Sequence, residues 1–144
     1  MMKSILVVAF LLLSTAKAEF IRDNALEVVN DTTTCLMWQD DNATTTVKKN
    51  WQNSIDYCEN LDFAGFIDWR LPNFNELYSI GDRSKSNPAI KDAFMNVEVY
   101  DYYWSSTTRA DGSSNAWVVL FGDGNGNHYF ESHSLYVRCV RDGQ

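Results

Sequence analysis

Proline is nearly missing from this 144-residue chain: Pro72 and Pro88 are the only two. No proline-rich or other low-complexity linker divides the sequence, and no internal repeat is visible, so a single domain is expected. Histidine is as scarce. His128 and His133 stand alone, outside any C-x-x-C or H-E-x-x-H context, which removes the usual zinc motifs. No G-x-S-x-G, phosphate-cradling glycine loop or dinucleotide fingerprint is present. No pair of carboxylates stands at a spacing that marks a hydrolase. Basic residues are outnumbered, with 12 Lys and Arg against 19 Asp and Glu and a net charge of −7. Without a basic surplus or a polybasic run, nucleic acid and anionic polymers are excluded as default partners.

Long apolar runs are also missing, except at the start. Lys3, the apolar stretch from Ile5 to Leu13, and Ala16-Lys17-Ala18 follow the pattern of a secretory signal with a small-x-small cleavage site. The apolar stretch is too short to span a bilayer, and nothing later is long enough to do so. Residues 1–18 are therefore expected to be a signal peptide and 19–144 one exported domain, periplasmic or at the cell surface. Cleavage after Ala18 takes Lys3 and Lys17 away. Ten of the 12 basic residues then face 19 acidic ones, and the net charge becomes −9.

Three cysteines remain, Cys35, Cys58 and Cys139. An odd count in an exported chain suggests one bridge and one leftover thiol, and three pairings are open. Cys58 falls on a stripe with Trp51, Ile55 and Leu61, spaced four and three apart as on one helix face from Asn50 to about Asp62. Cys139 shares a strand face with Leu135 and Val137. Those contexts favour a Cys58–Cys139 bridge, which leaves Cys35 as a small buried hydrophobe beside Leu36, Met37 and Trp38.

The remaining pattern is of strands and short helices. Leu26–Asn30 and Cys35–Gln39 form an entry hairpin. A polar loop over Asp40–Asn50 includes an N-x-T sequon at Asn42, a minority candidate for modification. Asp68-Trp69-Arg70-Leu71-Pro72 reads as a strand running into a helix, with Asn73 as N-cap and Glu76 positioned to complete a capping box. Asp68 and Arg70, two apart, share a strand face and are expected to pair there as an internal brace. After the Gly81–Asn87 loop, Pro88 is expected to open a third, short helix bearing Ile90 and Phe94. From Tyr100 onward all is strand: Tyr100–Trp104, a central strand at Ala116–Phe121, then His128–Glu131 and Leu135–Arg141. The stretch Gly122-Asp123-Gly124-Asn125-Gly126-Asn127 lacks the terminal Glu and flanking helices of an EF-hand, so it reads as a hairpin turn. No metal and no cofactor are implied.

Aromatic residues are plentiful, with five Trp, seven Tyr and eight Phe. Most must be core. By alternation, part of the Tyr100–Trp104 segment should face outward, and exposed aromatics beside polar groups commonly grip sugars or proteins. The expected ligand surface combines Tyr102 and Trp104 with Arg109, Asp111 and Asn115 of the Thr107–Asn115 loop, next to Gly81–Asn87.

Several blocks recur in a family-like order. They are Asp31-x-Thr33-x-x-Leu36-Met37-Trp38-Gln39, Tyr57-Cys58-x-x-Leu61, Gly65 with Asp68-Trp69-Arg70-Leu71-Pro72 and Glu76-Leu77, Tyr103-Trp104-Ser105-Ser106-Thr107, Ala116-Trp117-x-Val119-x-Phe121 with Gly124, and Val137-Arg138-Cys139-Val140-Arg141. This order resembles the bacterial Lcl C-terminal domain family across nearly all of the exported chain. Cys35 departs from it, since the family more often has Gly before Leu-Met-Trp. The resemblance implies an α+β, C-type-lectin-like fold, with an antiparallel sheet and two main helices. It also implies rival functions. The adhesin that carries the family's domain binds sulfated glycans, which points to a non-catalytic module binding a glycan or an envelope protein. The formylglycine-generating enzymes share the Tyr-Cys helix and the Arg-Leu-Pro helix start, and their oxidation uses two reactive C-terminal cysteines. Here Cys139 is the only C-terminal one, so binding is the expected role and no catalytic residue is assigned. A structural subunit of an envelope assembly is the remaining alternative.

Overall fold

The computed structural model describes Lys17 and residues 19–143. The expected signal peptide lies, Lys17 aside, outside the described residues. Among the described residues nine strands form two sheets, and two α-helices accompany them. In chain order they are β1 (Phe20–Asp23), β2 (Val28–Asp31), β3 (Leu36–Gln39), β4 (Lys48–Lys49), α1 (Trp51–Glu59), α2 (Phe74–Ser79), β5 (Tyr102–Thr108), β6 (Asn115–Leu120), β7 (Asn125–Phe130), β8 (Leu135–Tyr136) and β9 (Val140–Asp142). The first sheet runs β1-β2-β3-β9 and is antiparallel, and the second runs β4-β8-β5-β6-β7. The second sheet is mixed, because β8 meets β5 in parallel at Tyr103 and Tyr136. The chain is thus α+β with two helices as expected, but with two sheets where one was expected.

The expected Leu135–Arg141 strand is split for the same reason. Its first part, β8, belongs to the second sheet and its last part, β9, to the first. Between them Arg138 and Cys139 are fully buried. Cys139 is bonded to Cys58 on α1, with Cα atoms 5.5 Å apart, so the crossing segment is tied covalently to the helix.

Each helix starts where its cap residue stands. The Asn50 side chain accepts from the Asn53 N–H (2.9 Å). At α2, Asn73 Oδ1 accepts from the Glu76 N–H (2.8 Å), and Glu76 Oε1 accepts from the Asn73 N–H (2.9 Å). A third orphan donor, the Phe74 N–H, is taken by Thr107 Oγ1 (2.9 Å). The Ser106 N–H donates to the Pro72 carbonyl (2.8 Å). A register shift in β5 between Trp104 and Thr108 frees these groups to face α2. The Trp-Ser-Ser-Thr block therefore docks the Leu71-Pro72 helix start onto the second sheet.

Neighbouring residues on the strands bury into different apolar clusters, as the two-residue strand period requires. Val29, Trp38, Leu77, Ile80, Ile90, Phe94, Tyr103, Val119 and Phe121 belong to one. Val28, Cys58, Trp69, Leu71, Trp104, Val118 and Val137 belong to the other. Both faces of β5 are therefore covered at Tyr103 and Trp104, and the outward alternation expected for that segment fails at Trp104.

Three further expectations need correction. No helix follows Pro88, because the backbone there is committed sideways: the Ala89 N–H donates to the Phe121 carbonyl (2.7 Å), the Lys91 N–H to the Ile80 carbonyl (3.0 Å), and Ile90 bridges Gly81. Asp68 does not pair with Arg70. Arg141 takes Asp68 through Nε and Nη2 (2.6 and 3.0 Å), while Arg70 forks onto both Glu76 oxygens (2.8 Å each) and reaches Asp142 (2.9 Å). Cys35 is exposed. It closes the β2–β3 turn at φ +59°, in the left-handed region, with its N–H on the Asp31 carbonyl (2.9 Å) and Asp31 Oδ1 accepting from the Thr33 N–H (2.9 Å). The expected polar loop holds a 3-10 turn at Asn42–Thr45 in which Asn42 is exposed.

Candidate binding groove

β6 and β7 form a hairpin whose register sets Asn115 opposite Phe130 at one end and Leu120 opposite Asn125 at the other. The Leu120–Asn125 end closes in the expected turn, where the Gly124 N–H donates to the Leu120 carbonyl (2.8 Å) and Gly124 has φ +79°. Packed against this end is the Gly81–Asn87 loop: Arg83 Nη1 donates to the Gly124 carbonyl (2.9 Å) and the Asn87 N–H to the Gly122 carbonyl (3.0 Å). At ~3.4 Å per residue the hairpin's other end is roughly 17 Å away. The Gly81–Asn87 loop therefore does not border the Arg109–Asn115 loop as expected.

At the Asn115–Phe130 end lies a groove of about 560 Å³, lined by Arg109, Asn115, His128, Tyr129, Phe130 and His133, with Ser113 at its edge. Its loop side is held by local bonds. The Arg109 N–H donates to the Asn115 carbonyl (2.9 Å), the Ser113 N–H to Asp111 Oδ1 (3.2 Å), and Asn115 Nδ2 to the Ser113 carbonyl and hydroxyl (2.9 and 3.0 Å). Asp111 also takes Arg109 Nη2 (2.9 Å). The Ser113 hydroxyl, then the Ser113 N–H and the Arg109 charge, hold the Asp111 carboxyl below its usual range.

The strand side is aromatic. Arg109 Nη1 lies 3.0 Å from Nε2 and 3.3 Å from Nδ1 of His128. A nitrogen nearly equidistant from both ring nitrogens lies along neither lone pair, and its N–H points at the imidazole between them. Trp117 meets that imidazole edge-on at 5.7 Å. The His133 N–H donates to the Phe130 carbonyl (3.0 Å), which turns its ring back over β7. It meets Tyr129 edge-on at 4.8 Å and stacks beside Phe130 at 6.2 Å. Phe130 stays 59% exposed, a large apolar ring in open contact with water.

Of the residues expected on the ligand surface, Arg109 and Asn115 line the groove and Asp111 sits at its edge through Arg109. Tyr102 lies behind it, 5.6 Å from the Tyr129 ring and with its hydroxyl accepting from Asn127 Nδ2 (3.2 Å). Trp104 is elsewhere: it is fully buried and donates its Nε1–H to the Lys49 carbonyl (2.9 Å). His128, Tyr129, Phe130 and His133 are the residues sequence reasoning missed. Their signal was present, since both histidines fall within six residues of one another beside two aromatic rings. A search for zinc motifs passes over such an arrangement.

Among the described residues no three His, Cys, Asp or Glu side chains gather as metal ligands. None of their helices is long and apolar enough to cross a membrane. The molecule is thus a disulfide-bonded α+β domain of two sheets with an aromatic groove at one hairpin end. Residues 27–141 match the model of the Lcl C-terminal domain, and the chain belongs to that family. The match covers both helices, the disulfide and every residue of the groove. No curated protein matches the chain.

Proposed function

We propose that this is an exported, non-catalytic recognition module of C-type-lectin-like fold, and that it binds a glycan in the groove between Arg109 and Phe130. The observation that carries this reading is the exposed Phe130 ring beside Tyr129 and His133, facing the Asn115 amide, the Ser113 hydroxyl and the Arg109 guanidinium. Sugar rings present apolar C–H faces and a rim of hydroxyls, and a ring face next to fixed polar groups matches both. The Cys58–Cys139 bridge supports export, because such bonds persist in oxidising compartments. The oxidase-like alternative lacks a thiol pair, since Cys58 and Cys139 are bonded to each other and Cys35 lies alone.

The test is a glycan array probed with residues 19–144, wild type and Phe130→Ala. Binding that is lost in the variant while the fold is kept is expected. Binding that survives Phe130→Ala moves the site elsewhere. Absence of binding to any glycan replaces this reading with the structural-subunit one.

A further inference from the structure

Phe130 does not border one depression only. Its other side walls a second one, of about 380 Å³, formed with Trp51, Gln52, Ser114, Glu131 and Ser132. The two depressions come from three separate segments, namely the start of α1, the Arg109–Asn115 loop and the end of β7. Main-chain bonds lace these segments together: the Trp51 N–H donates to the Glu131 carbonyl and the Glu131 N–H to the Ser114 carbonyl (3.0 Å each). The Trp51 indole N–H adds a bond to the Ser105 carbonyl (2.9 Å). With α1, the loop and β7 fixed to one another, the two depressions keep a constant spacing across the Phe130 ridge.

Their charged groups differ. The first holds the Arg109 guanidinium, already paired with Asp111 Oδ2 (2.9 Å), and two imidazoles. The second offers the Gln52 amide, two serine hydroxyls and the Glu131 carboxylate, which no salt bridge among the described residues takes up. A chain carrying negative charge along its whole length would meet that carboxylate on one side of Phe130, within a domain at −9 over residues 19–144.

We propose that the groove takes a linear, uncharged oligosaccharide that lies across Phe130 and fills both depressions, so that several consecutive sugar units are read together. This inference rests on the glycan-binding reading and deepens it. Ring stacking on Phe130 anchors the middle of the chain, and the hydroxyl and amide groups on either side fix its direction.

The experiment is calorimetric titration of residues 19–144 with chito- and cello-oligosaccharides of one to six units, and with a heparin-derived hexasaccharide as the anionic probe. Affinity is expected to rise by about tenfold or more once the neutral chain is long enough to cross Phe130, then to level off. Gln52→Ala and Ser132→Ala change exposed side chains of the second depression only. They should lower the long-chain affinity toward the short-chain value and leave the short chains unaffected. The heparin fragment should bind more weakly than a neutral hexamer, and Glu131→Gln should improve it. Length-independent binding that is blind to Gln52→Ala and Ser132→Ala overturns the second depression and leaves the recognition reading standing. Preference for heparin with no effect of Glu131→Gln overturns the charge argument and the uncharged ligand with it. If no chain of either series binds, the inference falls, and the array then decides separately whether the recognition reading falls too.

Discussion

The Asp68 carboxylate is held in a fork by Arg141, 73 residues further along the chain, at 2.6 and 3.0 Å. The same guanidinium lies over the Phe66 ring, 3.7 Å from its centre. Between the two charged residues' neighbours the backbone is paired as well, with the Arg70 N–H on the Val140 carbonyl (2.8 Å) and the Val140 N–H on the Arg70 carbonyl (2.9 Å). Arg70 then sends its side chain to Glu76 and Asp142. The Asp-Trp-Arg block is thus one side of a short ladder against β9, and it places the start of α2 relative to the last strand.

That ladder makes acid stability testable. Arg141 holds the Asp68 carboxyl below the usual range. For Glu76, burial pushes upward, but Arg70 and the Asn73 N–H outweigh it and the net direction is down. A carboxyl whose folded pKa lies below its unfolded value stabilises fully above the unfolded value, about 4 for these groups. The contribution is lost as pH falls through the folded value. Urea midpoints should therefore be insensitive to these two groups between about pH 5 and 7 and drop below about pH 4. Asp68→Asn with Glu76→Gln should start lower and fall less steeply. A double variant that falls in parallel with the wild type would assign acid unfolding to other groups.

The buried charges predict a larger effect. Asp40 is fully buried and accepts from Arg138 Nη1 (2.8 Å), from the Met95 N–H (2.9 Å) and from Arg22. Arg138 is itself fully buried, and burial pushes its pKa down. Truncating Asp40 to Ala strands that cation, which typically costs about 3–5 kcal/mol. Asp101→Ala, which breaks the half-exposed pair with Lys48 (2.7 Å), should cost less than about 1 kcal/mol. Chemical denaturation of both variants gives the comparison, and equal losses would contradict the assignment.

How far the fold was legible depended on how local its cause was. The capping box at Asn73 and Glu76 needs residues three apart and was read correctly. The Cys58–Cys139 bridge followed from two apolar stripes, each visible within its own segment. The Asp68–Arg70 pairing failed because Arg141 of β9 takes Asp68 while Glu76 of α2 and Asp142 of β9 take Arg70, and spacing along one strand carries no information about a helix beyond it or a strand 73 residues away. Trp104 failed for a related reason: alternation assigns it a face, but only the two-sheet arrangement shows that both faces of β5 are covered. In the site, Arg109 and Asn115 were found from their loop. Phe130 and His133 were missed, because the turn that brings them beside Arg109 depends on β6–β7 pairing and on the His133 N–H bond to Phe130.

Cys35 and the bridge give a prediction about thiols. The folded, unreduced protein should take up one maleimide, at the exposed Cys35, and no more. Peptide mapping without reduction should recover Cys58 joined to Cys139. Since the bridge closes a separation of 81 residues, its reduction should lower stability by up to about 4.5 kcal/mol on the chain-entropy model. Cys35→Gly should abolish labelling and keep stability within about 1 kcal/mol of the wild type. Glycine relieves the left-handed φ of +59° but gives the unfolded chain more freedom. Labelling only after denaturation would return Cys35 to the core.

Trp104 and Phe130 should separate stability from binding. Trp104 is fully buried and donates to the Lys49 carbonyl, so Trp104→Phe removes that bond and leaves a void beside it. A loss of about 1–3 kcal/mol is expected. The variant that remains folded should bind glycan as the wild type does, because no face of the indole reaches the groove. Phe130→Ala should show the opposite pattern. With 59% of the residue already in water, its truncation removes little buried surface, and the urea midpoint should hardly move. Yet the ring is the shared wall of both depressions, and glycan affinity should fall by about tenfold or more. Measuring both variants by urea unfolding and by calorimetry gives four numbers with a definite pattern. If Trp104→Phe abolished binding at unchanged stability, the ligand surface would lie along β5 and not at the end of β7.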